Sequence, residues 1–129
     1  GPPPAERLST VTTVAAVLPD RLRSSRAIEQ VLRRGRQKAG RRSVIALTPT
    51  DGSATRLAVV ASRRVGTAVR RNRAKRLLRE AARGLPWRPG LDVVLVARAE
   101  CADSELAAVR SELCRLAVEL RALDPQEAT

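Results

Sequence analysis

The sequence predicts an α+β fold in which a single sheet of about four strands packs against helices. Three segments repeat apolar residues every three or four positions, as amphipathic helices do. Short runs rich in Val, Ile, Leu and Ala lie between them and are typical of strands. The 129 residues are enough for one compact domain. The predicted order of elements is α-β-β-β-α-β-α.

The first half of the chain is predicted to contain one helix followed by strands. Ser24 or Ser25 is expected to cap the helix, because a serine hydroxyl can accept a hydrogen bond from a free N–H of the first turn. The helix runs to Arg34, and Gly35 ends it. The predicted strands are Arg36–Ala39, which is the weakest of the three, Ser43–Thr48 and Arg56–Ser62.

The second half is predicted to add two helices and one strand. The second helix spans Ala68–Arg83. Asp92–Ala97 is apolar along most of its length, which is typical of a buried strand. The third helix is predicted to follow a cap at Asp103 or Ser104 and to end near Leu123, with a core stripe along one side.

The two ends of the chain are expected to lie outside this fold. Residues 1–16 are rich in Pro at their start and lack periodicity, which predicts a disordered N-terminal extension or the remnant of a tag. Residues 17–123 are assigned to the folded domain, and residues 124–129 to a flexible tail. The stretch Leu8–Leu18 is too short and too polar for a membrane helix, so no membrane partner is expected.

The charge of the chain indicates a polyanionic partner. The net charge is +12, and only Lys38 and Lys75 among the 25 basic residues are lysines. Arginine presents a planar fork that binds two phosphate oxygens at once. A GC-rich genome would also favour Arg over Lys, but it does not explain the excess of positive charge. Most of the acids lie in the last third of the chain, so one basic surface with a more neutral back is predicted.

The predicted helix Ala68–Arg83 separates apolar from basic residues. On a wheel that starts at Val69, the residues between about 80° and 180° are Ala74, Leu77, Leu78 and Ala81. The residues between about 240° and 340° are Asn72, Lys75, Arg76, Arg79 and Arg83. Cations four residues apart repel each other, and Glu80 is the only acid on the helix. We therefore predict that one side docks on the sheet and the other binds a polyanion.

The residues that a catalytic or metal site needs are missing from the sequence. There is no His for acid–base chemistry, and no D-x-D or E-x-x-E cluster of acids that would hold two metal ions. Cys101 and Cys114 are interpreted as reduced, small apolar residues. Trp87 is the only aromatic residue, so base stacking is not expected to dominate recognition. Gly66 belongs to no nucleotide-binding motif and is interpreted as a turn residue. No catalytic residue and no metal ligand is assigned.

The stretch Ser62–Glu80 closely resembles the signature of the bacterial ribonuclease P protein subunit. That signature places Ser and two basic residues before a Gly, continues with Ala-Val, Arg-Asn-Arg and Lys-Arg, and ends with Arg followed by an acid or amide. Every part of it is present here without a gap. Leu22–Gly35 is similar to the first helix of the family, and Gly90–Arg98 is similar to its last strand.

The resemblance implies a left-handed crossover around the Arg-Asn-Arg helix, whereas the usual rule favours a right-handed one. It also implies a catalytic RNA that the protein helps to cleave the 5′ leader from precursor tRNA, with Mg²⁺ held by the RNA and the substrate. The protein would then be a cytoplasmic, monomeric subunit of an endoribonuclease whose chemistry lies in the RNA. The residues expected to bind RNA are Arg63, Arg64, Arg70, Arg71, Asn72, Arg73, Lys75, Arg76 and Arg79.

The resemblance further implies that the single-stranded leader lies in a cleft between the first helix and the sheet. The residues expected to line this cleft are Ile28, Leu32, Arg33, Ser43 and Ala46. Members of the family often carry aromatic residues there, and this chain does not. Base stacking on the leader is therefore expected to be lost.

Two alternatives to this function stay open at the level of sequence. A ribosomal or general structured-RNA-binding protein without a role in processing would share the charge pattern, and it would bind other structured RNAs equally well. A protein nuclease acting alone would cleave precursor tRNA without any RNA subunit.

Overall fold

The computed structural model describes residues 20–124. The helices in this part of the chain are α1 (Ser25–Arg34), α2 (Ala68–Arg83) and α3 (Leu106–Glu119). The strands are β1 (Asp20–Arg21), β2 (Arg36–Ala39), β3 (Ser43–Pro49), β4 (Arg56–Ala61) and β5 (Leu91–Ala97). The 3₁₀ helices Arg63–Val65 and Ala99–Asp103 precede α2 and α3. The predictions for residues 1–16 and for the tail after Asp124 lie outside the described residues.

Within residues 20–124 the strands form one mixed sheet in the order β1-β4-β5-β3-β2. β1, β4 and β5 run parallel, whereas β3 pairs antiparallel with both β5 and β2. The sheet and its helices confirm the predicted α+β class, with one strand more than expected. β1 could not be predicted because its two residues are both exposed and carry no alternation; only their pairing with Arg56 and Leu57 makes them a strand.

Helices α1 and α2 begin and end where the sequence predicts. The Ser24 hydroxyl accepts a hydrogen bond from the N–H of Ala27 at 3.2 Å, and the Thr67 hydroxyl accepts one from the N–H of Arg70 at 3.3 Å. Helix α2 joins β4 to β5, which are parallel neighbours in the sheet. This is the crossover that the family resemblance implies, and its left hand stays a prediction.

The third helix begins later and ends earlier than predicted. The segment Ala99–Asp103 forms a 3₁₀ helix, and α3 starts only after Glu105. The predicted caps have other partners, because the Ser104 hydroxyl donates to the Glu100 carbonyl oxygen at 2.8 Å and the Asp103 carboxylate binds Arg70. The helix ends at Glu119, and the apolar residues that follow it stay buried in a turn.

The helices cover the two faces of the sheet unequally. α2 and α3 cover one face, where a large cluster includes Ile45, Leu47 and Leu95. α1 covers part of the other face, where a small cluster includes Ala46 and Val94. Both clusters are almost entirely aliphatic, as the composition predicts. Trp87 packs against the larger one, and its indole N–H donates to the Ala82 carbonyl oxygen at 3.0 Å.

Both cysteines are free, and Cys101 is buried. Burial raises the pKa of the Cys101 thiol to about 11, so the thiol stays protonated at neutral pH. Cys101 therefore behaves as a small apolar core residue, in agreement with the interpretation from the sequence.

A buried carboxylate ties α3 to the turn between β2 and β3. Glu112 is 5% exposed, and its carboxylate accepts hydrogen bonds from the N–H groups of Arg41 and Arg42 and from the Ser43 hydroxyl, the last at 2.7 Å. Gly40 allows this close approach, because a Cβ at that position would lie 2.6 Å from Cδ of Glu112. The contact fixes the start of β3 against α3.

We expect Glu112→Ala to lower the free energy of unfolding by about 2–4 kcal/mol, because two N–H groups and one hydroxyl lose their buried acceptor. Urea unfolding followed by circular dichroism measures this. Glu105→Ala is the matched control, since Glu105 is exposed and makes no side-chain cap. Equal stability of the two variants would contradict the assignment.

Candidate RNA interface

Helix α2 has the two distinct sides that its sequence predicts. Ala74, Leu78, Ala81 and Ala82 are buried and belong to the larger core cluster. The opposite side carries a set of polar residues that are exposed, or half-buried in the case of the lysine. This set is named the α2 ridge and consists of Asn72, Arg73, Lys75, Arg76 and Arg79.

The acids of the chain leave most of the ridge without counter-charge. Glu80 is the only acid on α2, and it pairs with Arg83 at 3.5 Å rather than with Arg76. Within residues 20–124, several cations of this region make no side-chain hydrogen bond or ion pair with the protein. They are Arg63, Arg64, Lys75, Arg76 and Arg79. These cations therefore lack the acidic partners that would relieve the repulsion expected along the helix.

Arg70 binds the protein itself. Its two terminal nitrogens donate to the Asp103 carboxylate at 2.8 and 2.9 Å, and its Nε donates to the Val65 carbonyl oxygen at 3.0 Å. The two hydrogen bonds from Arg70 to the Asp103 carboxylate hold the pKa of Asp103 below its ordinary value. The sequence groups Arg70 with the RNA-binding residues, and the structure shows that it connects α2 to the 3₁₀ helix Ala99–Asp103. This contact region is named the α2 joint.

Neighbouring contacts strengthen this joint. Nε of Arg73 donates to the Ala102 carbonyl oxygen at 2.8 Å, and a terminal nitrogen of Arg71 donates to the Gly66 carbonyl oxygen at 3.2 Å. Gly66 has a φ of 130°, and a Cβ there would lie 2.8 Å from Cδ of Arg70. Gly66 is therefore the turn residue that the sequence indicates. Arg71 and Arg73 each use one side-chain nitrogen in these contacts, so their remaining N–H groups are left for a ligand.

Helix α1 and the sheet face beneath it form a second candidate surface. Ile28 and Leu32 of α1 pack in one cluster with Ala46 of β3, where the sequence places them together. Ala46 is fully buried and supports this surface from below. Arg33 is exposed on α1 and pairs with Glu29 at 3.6 Å.

The assignment of Ser43 to this cleft is wrong. Alternate residues of a strand point to opposite faces, and Ser43 shares a face with Ile45 and Leu47, which pack toward α2 and α3. Its hydroxyl is buried and donates to Glu112. Val44 is the residue at this end of β3 that lies on the α1 face.

The structure adds three residues that the sequence analysis missed. Val44, Val60 and Val96 lie side by side on β3, β4 and β5 on the α1 face, and each is half-buried. Strand alternation from Ala46 would have identified Val44, but the other two depend on the register between strands. Together with two residues of α1 they form a surface named the aliphatic cleft, which consists of Ile28, Leu32, Val44, Val60 and Val96.

Three arginines stand at one end of the aliphatic cleft. Arg41, Arg64 and Arg98 line a pocket of about 410 Å³ beside Val96. Arg41 pairs with Glu100 at 3.4 Å, while Arg98 donates to a turn carbonyl at 3.2 Å. Because Arg64 has no partner within the described chain, this pocket offers at least one guanidinium for an anion.

Arginines also connect the aliphatic cleft to the α2 ridge. Arg21, Arg79 and Arg83 line a pocket of about 270 Å³ together with Ile28. Arg79 belongs to the ridge and Ile28 belongs to the cleft. The two candidate surfaces are therefore continuous around the edge of β4.

The comparison with known proteins decides the family. The family model described as ribonuclease P matches residues 19–121. The chain belongs to the bacterial ribonuclease P protein family. The ribonuclease P protein component of Symbiobacterium thermophilum is 40% identical over 97 residues, which are 72% of this chain and 84% of that protein. The one from Shouchella clausii is 36% identical over 108 residues, 81% of this chain and 88% of its own length.

Solved structures of ribonuclease P proteins share the fold. The Thermotoga maritima protein is 27% identical with a TM-score of 0.66, over 75% of this chain and 94% of that one. The Staphylococcus aureus protein is similar in fold alone, with 20% identity, a TM-score of 0.69, and coverage of 81% and 97%. As a ribonuclease P protein, this chain is a subunit of a tRNA-processing ribonuclease, and its partner is the ribonuclease P RNA.

Among residues 20–124, no three His, Cys, Asp or Glu side chains lie close enough together to hold a metal ion. None of the helices in that range has the length and apolar character needed to cross a membrane.

Arg76→Ala is expected to weaken binding to a bacterial ribonuclease P RNA by about 1–3 kcal/mol, because a charge-assisted contact to phosphate is lost. Filter binding measures the affinity. Arg115→Ala is the control, since Arg115 is also an exposed arginine, lies on α3 and pairs with Glu119. Unchanged affinity of the Arg76 variant, with an unchanged circular dichroism spectrum, would contradict an RNA contact at the ridge.

Proposed function

We propose that this chain assists the catalytic RNA of ribonuclease P in the Mg²⁺-dependent cleavage of the 5′ leader from precursor tRNA. The observation that carries the proposal is the α2 ridge, whose cations stay exposed and mostly without acidic partners. The ridge is continuous with an apolar cleft that arginines border at both ends. A single protein surface of this kind can bind a folded RNA and a single strand at the same time.

The ridge is the surface that we assign to the catalytic RNA. Arginine forks and one lysine neutralise phosphates on adjacent strands of a folded RNA, and the amide of Asn72 adds a neutral donor and acceptor. Because α2 is packed on the sheet and α3, the backbone positions of these side chains keep a fixed spacing. The residues proposed to contact the catalytic RNA are Arg63, Arg71, Asn72, Arg73, Lys75, Arg76 and Arg79, while Arg64, which lines the pocket at the end of the cleft, is proposed to contact the leader.

The aliphatic cleft is the surface that we assign to the leader. Its floor consists of Val and Ile or Leu side chains, and the only aromatic residue of the chain, Trp87, packs elsewhere. Bases can make apolar contacts with this floor but cannot stack on it. Affinity for the leader then comes mainly from phosphate contacts at the bordering arginines, and sequence preference in the leader is weak.

The chemistry of cleavage is proposed to lie in the RNA. The described chain offers no cluster of carboxylates for a catalytic metal, and phosphate oxygens of the RNA and substrate are suitable ligands for Mg²⁺. By neutralising phosphates, the protein reduces the Mg²⁺ concentration that the complex requires. A cytoplasmic location and a monomeric protein component stay predictions.

Reconstitution tests the proposed function. We expect the protein to restore cleavage of precursor tRNA by a bacterial ribonuclease P RNA at a Mg²⁺ concentration too low for the RNA alone. The protein without the RNA should give no cleavage. A protein that binds ribosomal RNA fragments equally well and restores no cleavage would instead be a general RNA-binding protein.

Arg64→Ala is expected to weaken the binding of precursor tRNA to the reconstituted complex by about 1–2 kcal/mol, because a leader phosphate loses its guanidinium partner. The affinity for mature tRNA, which has no leader, should not change. Arg115→Ala again serves as the control. Equal losses for precursor and mature tRNA would place Arg64 on the catalytic RNA rather than on the leader.

A further inference from the structure

One apolar side chain of α2 is exposed to solvent and lies outside both core clusters. Val69 lies in the first turn of α2 and is 77% exposed. Within residues 20–124, the only other large apolar side chain with substantial exposure is Val118, at 49% on α3. Val69 belongs to neither core cluster, although the α2 residues on the opposite side of the helix do.

Val69 sits inside the cationic surface. Residues three, four and seven positions further along a helix are neighbours of a side chain on its surface. For Val69 these neighbours are Asn72, Arg73 and Arg76, which are all exposed members of the α2 ridge. Val69 therefore forms a small apolar patch at the N-terminal end of the ridge, and an amide and two guanidinium groups surround it.

Folding does not explain a valine at this position. A β-branched residue loses side-chain freedom in a helix, so alanine would favour α2 more than valine does. An exposed valine also buries almost no apolar surface here. Single exposed apolar residues are common on protein surfaces, but this one lies within a cationic surface, where a partner that binds the cations would also cover it.

The partner must offer both negative charge and apolar surface. Phosphates satisfy the guanidinium groups but cannot cover a valine. The base and ribose of a nucleotide can, and in folded RNA such surfaces are exposed at unpaired nucleotides and along the shallow minor groove. We propose that Val69 packs against the base–ribose surface of one nucleotide of the ribonuclease P RNA. This inference rests on the proposed function and adds a non-ionic contact to it.

Such a contact has a thermodynamic signature that distinguishes it from its neighbours. Removing a cation from the interface makes the dependence of log affinity on log salt less steep, by about 0.7–0.9 for each lost phosphate contact. Removing an apolar contact lowers affinity by the same factor at every salt concentration. Val69 and Arg76 lie two turns apart on one helix, so the two kinds of loss can be compared within one surface.

The experiment compares Val69→Ala with Val118→Ala by filter binding to a bacterial ribonuclease P RNA over a series of salt concentrations. We expect Val69→Ala to weaken binding about 3- to 15-fold with an unchanged salt slope, since it removes two methyl-sized groups from an apolar contact. Its melting temperature should equal or exceed that of the wild type, because alanine favours the helix. Val118→Ala should bind as the wild type does.

The outcomes separate this inference from the proposed function. If the wild type binds the RNA and Val69→Ala binds equally tightly, the inference on Val69 is wrong and the proposed function stands. A loss of affinity together with a lower melting temperature would also overturn it, because that result assigns Val69 to the fold. If the wild type itself fails to bind the RNA, both proposals fall.

Discussion

Repulsion between like charges along α2 is the constraint on which the rest of the structure depends. Cations four residues apart each destabilise an isolated helix by a few tenths of a kcal/mol, and the single acid of α2 compensates only Arg83. The helix nevertheless forms because Ala74, Leu78 and Ala81 bury its other side against the sheet and α3. The fold thus holds in place a row of charges, most of which have no acidic partner among the described residues.

The same elements fix the geometry of that row. The ion pair between Arg70 and Asp103 and the hydrogen bond from Arg73 to Ala102 join the N-terminal turns of α2 to the 3₁₀ helix before α3. Glu112, on α3, fixes the start of β3 through the turn before it. Because these contacts connect the ridge, the core and the edge of the cleft, a change in the core is expected to reach both candidate surfaces.

Local signals in the sequence were sufficient for some elements and not for others. The bounds of α1 and α2 follow from caps and periodicity, and both depend on residues within a few positions of the helix ends. β1, the 3₁₀ helix at Ala99–Asp103 and the position of Ser43 depend on partners far away in sequence. The sequence places Ser43 in the cleft because its strand is assigned without its face, and it cannot show that Arg70 pairs with Asp103, which lies 33 residues away. Long-range pairing therefore accounts for the errors in both the fold and the site.

The salt dependence of binding to a bacterial ribonuclease P RNA tests the central claim most directly. If the ridge and its neighbours neutralise roughly six phosphates, the plot of log affinity against log salt concentration should have a slope of about −4 to −5. A slope flatter than about −2 would mean that the exposed cations of α2 do not meet phosphates, and it would contradict the account.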